Sequence, residues 1–201
     1  PKWRLLRYDA SKVDRLAEEL PMPCVIKTTG GGSSLGVFLP EDRAALREAL
    51  VKVQDYHGEV LMEERVYGRE LTVGVLGDRA LPAVEILPAE KDFDYIAKYQ
   101  NGGARELCPA PITEAEQKKL GDLALKLHRT LGLEVYSRTD FILDGEGNPW
   151  CLEVNSLPGM TANSLVPKEA RAIGMTYNQL CEEDRTAVLS FEEKRLISCS
   201  P

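Results

Sequence analysis

No stretch of this sequence approaches the roughly 20 consecutive apolar residues that cross a bilayer, and its first residues, Pro1-Lys2-Trp3-Arg4, lack the apolar centre of a secretory signal. A cytoplasmic protein without a membrane partner is therefore expected. Paired cysteines are also missing. The five present, Cys24, Cys108, Cys151, Cys181 and Cys199, are odd in number and never spaced Cys-x-x-Cys, which argues against zinc or dithiol redox chemistry and leaves them reduced and mostly structural. There is no basic stripe: a net charge of -7 and a pI near 5.1 argue against a nucleic-acid surface, although a nucleotide needs only a few focused lysines. Internal repeats and low-complexity linkers are absent as well. What is present, 201 residues of which 43% are hydrophobic and 28% charged, suffices for one substantial domain or two small ones sharing a cleft.

Turn signals therefore have to mark the elements. Val13, Leu16, Ala17 and Leu20 recur at helical spacing over 9–20, with Asp9 or Ser11 as cap, and Pro21 and Pro23 close the helix before an apolar strand over 24–27. A glycine-rich turn leads to a short strand over 36–39. Pro40-Glu41-Asp42 then opens a helix whose Ala45, Leu46, Ala49, Leu50 and Val53 form one stripe. Strands are predicted over 60–65, 70–76 and 81–87, with Gly68 and Gly77-Asp78 at turns. Residues 88–111 read as one long loop, a length that usually marks function or disorder. A helix over 113–131 carries the capping-box pair Thr113 and Glu116 and stops at Gly132. Strands over 135–143 and 149–156, joined by Asp144-Gly145-Glu146-Gly147-Asn148, form a hairpin. Helical patterning returns over 165–173 and 177–181; residues 182–201 are charged, weakly periodic and assigned no element.

The hairpin carries the most chemistry. Side chains two apart on a strand share a face, so Arg138 goes with Asp140 and Glu153 with Asn155. A turn centred on Glu146-Gly147 sets Asp140 opposite Glu153 and Arg138 opposite Asn155. Facing carboxylates repel unless a cation or proton lies between them, and hard oxygen donors in this arrangement suit Mg2+. The alternative is the wet face of an amphipathic hairpin. Thr139, Phe141, Leu143, Leu152 and Val154 occupy the opposite face, while Ile142 and Cys151 share the acidic one, which suggests a partly covered cleft. A second element, Lys27 followed by the glycine loop ending at Gly36, has the logic of a phosphate cradle without the spacing of a Walker loop or a dinucleotide fingerprint. A flexible hairpin loop explains it equally well.

Together these motifs resemble one family. Lys27 with Gly30-Gly-Gly-Ser-Ser-Leu-Gly36, Met62-Glu63-Glu64 followed by Gly68-Arg69-Glu70, Tyr95-x-x-Lys98-Tyr99, Cys108-Pro-Ala-Pro111, Ser137-Arg138-Thr139-Asp140 and Leu152-Glu-Val-Asn-Ser-Leu-Pro-Gly-Met-Thr161 occur in the order found in D-alanine-D-alanine ligases of the ATP-grasp type. The resemblance runs from about residue 3 to residue 181. It implies an α+β ATP-grasp fold, with a smaller lobe over 1–66, a larger one over 67–181, ATP held between antiparallel sheets and an unassigned tail over 182–201.

The same resemblance implies roles residue by residue. Lys27 and Lys98 would hold ATP phosphates, Glu63 and the backbone of Val66 the adenine, and Glu70 the ribose. Asp140, Glu153 and Asn155 would bind two Mg2+ ions, with Mn2+ as a substitute. Arg138 and the Gly159 N–H would stabilise an oxyanion, Ser164 and Leu165 would receive the carboxylate of the second D-alanine, and Ser33 would help orient the loop and the amine. Lys98 and Tyr99 lie on the long loop, which would close over the site; tyrosine there favours an amine acceptor over D-lactate. Without the family pattern, Ser164 reads as an ordinary helix cap. The family also has an N-terminal domain and the start of a central domain ahead of the region matched here, with a lysine for ATP and an acidic residue for the first D-alanine. Its homodimer contacts are expected largely there. Three readings follow: a ligase portion, a nucleotide-binding module with incomplete catalysis, or a related ligase using D-lactate, D-serine or another acceptor.

Overall fold

Period-two alternation in β2 (Cys24–Thr28) sends Cys24, Ile26 and Thr28 inward and leaves Val25 and Lys27 on the other face. With β1 (Trp3–Leu6), β3 (Val37–Phe38) and β4 (Val60–Glu64) it forms a four-stranded sheet of order β1-β4-β2-β3, antiparallel throughout. The inward face packs with α1 (Val13–Glu19) and α2 (Arg43–Lys52) around Leu6, Ile26, Leu46, Leu50 and Met62. Asp42 caps α2 by accepting from the Ala45 N–H at 2.8 Å. This computed structural model describes residues 1–30, 34–88 and 104–198, and it divides into two compact units, the one just given, Pro1–Val66, and a second built from Tyr67–Leu87 and the residues from Arg105 on.

The second unit is built on a six-stranded sheet. Its order is β10-β9-β5-β7-β8, with β6 (Arg79–Ala80) also on β5; the strands are β5 (Arg69–Leu76), β7 (Val84–Pro88), β8 (Ala104–Leu107), β9 (Tyr136–Leu143) and β10 (Pro149–Asn155). One face packs Leu71, Val73 and Phe141 against Leu120 and Ala124 of α3 (Glu114–Thr130). That helix begins with the full capping box, Thr113 and Glu116 bonding reciprocally. The other face meets α4 (Leu165–Ala172) and α5 (Tyr177–Ser198), where Leu76, Ala170 and Leu180 cluster.

Five expectations change. The helix over 9–20 is a 3-10 turn, Ala10–Lys12, followed by the shorter α1. Strand β1 was not expected, because only Leu6 of its four residues is buried and no alternation marks it. The loop over 88–111 contains β8, and the strand over 81–87 starts at Val84. The segment after Cys181 continues as helix to Ser198; most of its described side chains are exposed and none is buried, so no apolar stripe announced it.

Candidate functional site

Strands β9 and β10 pair antiparallel with Glu153 opposite Asp140 and Asn155 opposite Arg138, the expected register. The route to it differs. Near the turn Pro149 faces Leu143, Trp150 faces Ile142 and Cys151 faces Phe141, so the turn centres on Glu146, and the register shifts between Cys151 and Glu153. Leu152 is the extra residue of a β-bulge. The bulge restores the Asp140–Glu153 pairing and turns Cys151 to the opposite face, where it packs against the α3 core. Cys151 therefore does not share the acidic face.

On that face the side chains converge. Arg138 Nε and Nη2 donate to the two carboxylate oxygens of Asp140, each at 2.8 Å, with both side chains less than one-fifth exposed. Thr72 Oγ1 donates to Asp140 Oδ1 at 2.5 Å, and Asn155 Nδ2 reaches Asp140 Oδ2 and Glu153 Oε1 at 3.2 Å each. Thr72 sits opposite Asp140 on β5, and Glu70 lies two residues along the same face. The set comprises two carboxylates and one amide; among the described residues no group of three His, Cys, Asp or Glu side chains could hold a metal. Two hard carboxylates and an amide that can present its own oxygen nevertheless suit Mg2+ in partnership with phosphate and water.

Beside this face run the loop and helix implied in acceptor binding. A Cβ at Gly159 would lie 3.0 Å from Ser164 Oγ, so the two positions are close neighbours. Ser164 occupies the N-cap of α4 but makes no side-chain cap bond; its Oγ instead accepts from the Thr161 N–H at 3.1 Å and bonds Thr161 Oγ1 at 2.8 Å. The ordinary-cap reading of Ser164 is thus not what the structure holds. Leu165 is the first residue of the helix. The Tyr177 hydroxyl donates to the Met160 carbonyl at 2.7 Å and pins the loop from α5.

Of the implied nucleotide residues in the first unit, Lys27 Nζ and Glu63 Oε2 pair at 2.7 Å, with side chains 20% and 11% exposed, on the sheet face away from the helices. Val66 follows β4 by two residues. The glycine loop is closed at its base by the Thr28 N–H donating to the Gly36 carbonyl at 3.2 Å. Ser33, Lys98 and Tyr99 lie outside the described residues.

Thr72, Gly74 and Glu169 also belong to this region and were not among the residues expected there. Glu169 is fully buried on α4, its Oε2 accepting from the Gly74 N–H at 2.8 Å, and burial pushes its carboxyl well above the usual carboxylate range, against the opposing pull of that N–H and of Arg138. A glutamate inside an amphipathic helix reads as surface, and no local signal separates it from Lys168 beside it.

Residues 2–183 match the family described as D-ala D-ala ligase C-terminus. The D-alanine–D-alanine ligase of Desulfovibrio desulfuricans is 48% identical over 164 residues, 81% of this chain and 54% of that protein. The crystal structure of D-alanine–D-alanine ligase from Bacillus anthracis is similar with a TM-score of 0.80 at 31% identity, covering 97% of this chain and 64% of that one. The structure of the same enzyme complexed with ATP gives a TM-score of 0.76 at 29% identity, covering 97% and 63%. The chain spans about half the length of the curated relatives it matches. The ATP-grasp expectation for the fold holds, and with a match reaching from residue 2 into α5 the chain belongs to the D-ala D-ala ligase C-terminus family.

Proposed function

We propose that these residues supply the nucleotide, metal, oxyanion and acceptor contacts of an ATP- and Mg2+-dependent ligase that joins two D-alanines into D-alanyl-D-alanine for peptidoglycan in the bacterial cytoplasm. The observation that carries this reading is the convergence of Arg138, Asp140, Glu153 and Asn155 on one sheet face in a chain of this family. Lys27 and Lys98 bind ATP phosphates, Glu63 and the Val66 backbone bind adenine, and Glu70 accepts from the ribose hydroxyls. Asp140, Glu153 and Asn155 are the residues that would hold Mg2+, as one or two ions or with Mn2+ in their place. When bound, the metal neutralises phosphate charge during transfer.

The carboxylate of the first D-alanine attacks the γ-phosphorus, ADP leaves, and an acyl phosphate remains. The amine of the second D-alanine then attacks the acyl carbon and loses a proton, and phosphate departs as the amide bond forms. Arg138, its guanidinium plane fixed by two bonds to Asp140, and the Gly159 N–H stabilise the oxyanion between those events. Ser164 and Leu165 receive the acceptor carboxylate at the start of α4, whose first-turn N–H groups the Ser164 side chain does not cap. Ser33 and Tyr99 orient the incoming amine, and the loop bearing Lys98 and Tyr99 excludes water from the acyl phosphate. A homodimer is the proposed assembly.

The test is ADP release with Mg-ATP, with and without D-alanine, and the product mass. ADP that depends on D-alanine and appears with dipeptide supports the reading. ADP formation indifferent to D-alanine, or ester and D-serine products favoured across an acceptor panel, overturns it.

A further inference from the structure

The α4 side of the second sheet carries a carboxyl that no step above uses. Glu169 is 0% exposed; its Oε2 takes the Gly74 N–H and its Oε1 has no hydrogen-bond partner among the described residues. The backbone explains why an acceptor is needed at that point. β7 pairs with β5 as far as Thr72 and β6 pairs from Val75, so the Gly74 N–H falls in the gap, while its carbonyl accepts from the Leu81 N–H at 2.8 Å. Glycine is required: a Cβ at residue 74 would lie 2.1 Å from Glu169 Oε2.

Satisfying one N–H does not by itself account for a buried carboxyl. An alanine at 74 facing a small apolar side chain at 169 would pack the same space without desolvating an acid. What the carboxyl adds is direction. Apolar contacts such as those of Ala170 with Leu76 and Leu180 hold a helix down without fixing its position along the strand, whereas a hydrogen bond to a backbone N–H ties it to one residue. That residue, Gly74, is the register partner of Arg138, and Glu169 lies on α4 five residues beyond Ser164.

We propose that Glu169 is a positioning residue for the acceptor substrate: its bond to Gly74 seats α4 on β5 so that the start of the helix, Ser164 and Leu165, stands at a fixed place relative to Arg138. The proposal rests on the ligase reading above. Glutamine at 169 keeps an acceptor oxygen, alanine removes it, and alanine at 74 expels it.

The variants E169Q, E169A, G74A and G74A/E169A are compared in the full-length protein. E169Q is expected to keep the acceptor D-alanine KM within about threefold, while E169A and G74A raise it about tenfold or more and leave the ATP KM within about twofold, as a misplaced binding group should. G74A/E169A, in which the two alanines refill the space, is expected to regain melting temperature but keep the raised acceptor KM. If E169A lowers the melting temperature without moving that KM, or the double variant restores both, Glu169 is only structural and the proposal is overturned. If the wild type forms no dipeptide, the ligase reading fails separately, and amide exchange decides the anchor. E169A should then speed exchange over residues 169–172 with α3 still protected, and equal rates overturn the proposal.

Discussion

Asp140 and Glu153 face each other across neighbouring strands, an arrangement that is destabilising without a nearby positive charge. Arg138 meets that need for Asp140 in the protein alone, and Asn155 bridges both carboxylates through its amide. Replacing Glu153 with glutamine preserves shape and removes one anionic donor, so Mg2+-dependent nucleotide affinity should fall about tenfold or more by calorimetric titration; equal affinity would remove Glu153 from the metal set. His128 allows a second test. It is buried with Nδ1 2.8 Å from Ser137 Oγ, and burial holds its imidazole below the ordinary value of 6.5. The unfolded chain therefore takes up a proton near pH 6.5 that the folded protein refuses. Stability is full above that pH and falls on acidification until the folded group itself titrates, by at most about 1.4 kcal/mol per pH unit. Urea midpoints at pH 7.5 and 5.5 should separate less in His128→Asn than in the wild type.

Among the elements, α3 has the clearest local instructions, and Thr113→Ala should cost about 1 kcal/mol, read as a melting temperature lower by about 2–4 °C. Elements with such punctuation were legible in the sequence: the capped helices α2 and α3, the alternating strands β2 and β9, and the hairpin that unites the candidate site. Elements held by tertiary contact alone were not. β1 has one inward residue, β8 owes its place to the sheet beside it, and α5 has scarcely any apolar face to read. The same division runs through the site. Arg138, Asp140, Glu153 and Asn155 came from strand alternation, whereas Glu169 and Gly74 meet only through the packing of α4 on β5, 95 residues apart in the chain.

For the whole molecule the relevant fact is that, among the described residues, the first sheet and the second pack separate apolar cores, the second sheet on both of its faces. The two tryptophans lie one on each sheet, Trp3 on β1 and Trp150 on β10. Ile26→Ala, at a fully buried position of the first core, should destabilise by about 2–5 kcal/mol. In single-tryptophan variants the transition seen by Trp3 should move further than that seen by Trp150; equal shifts would mean that the two cores unfold as one. Within the second unit, the extra residue at Leu152 gives β10 two phases. Cys151 and Glu153 are two apart and point in opposite directions, so positions before and after the slip belong to different series. Tolerance to charge along this strand should change parity at Leu152: an acid is at home at 153 and out of place at 151, where strict alternation would have judged the two alike.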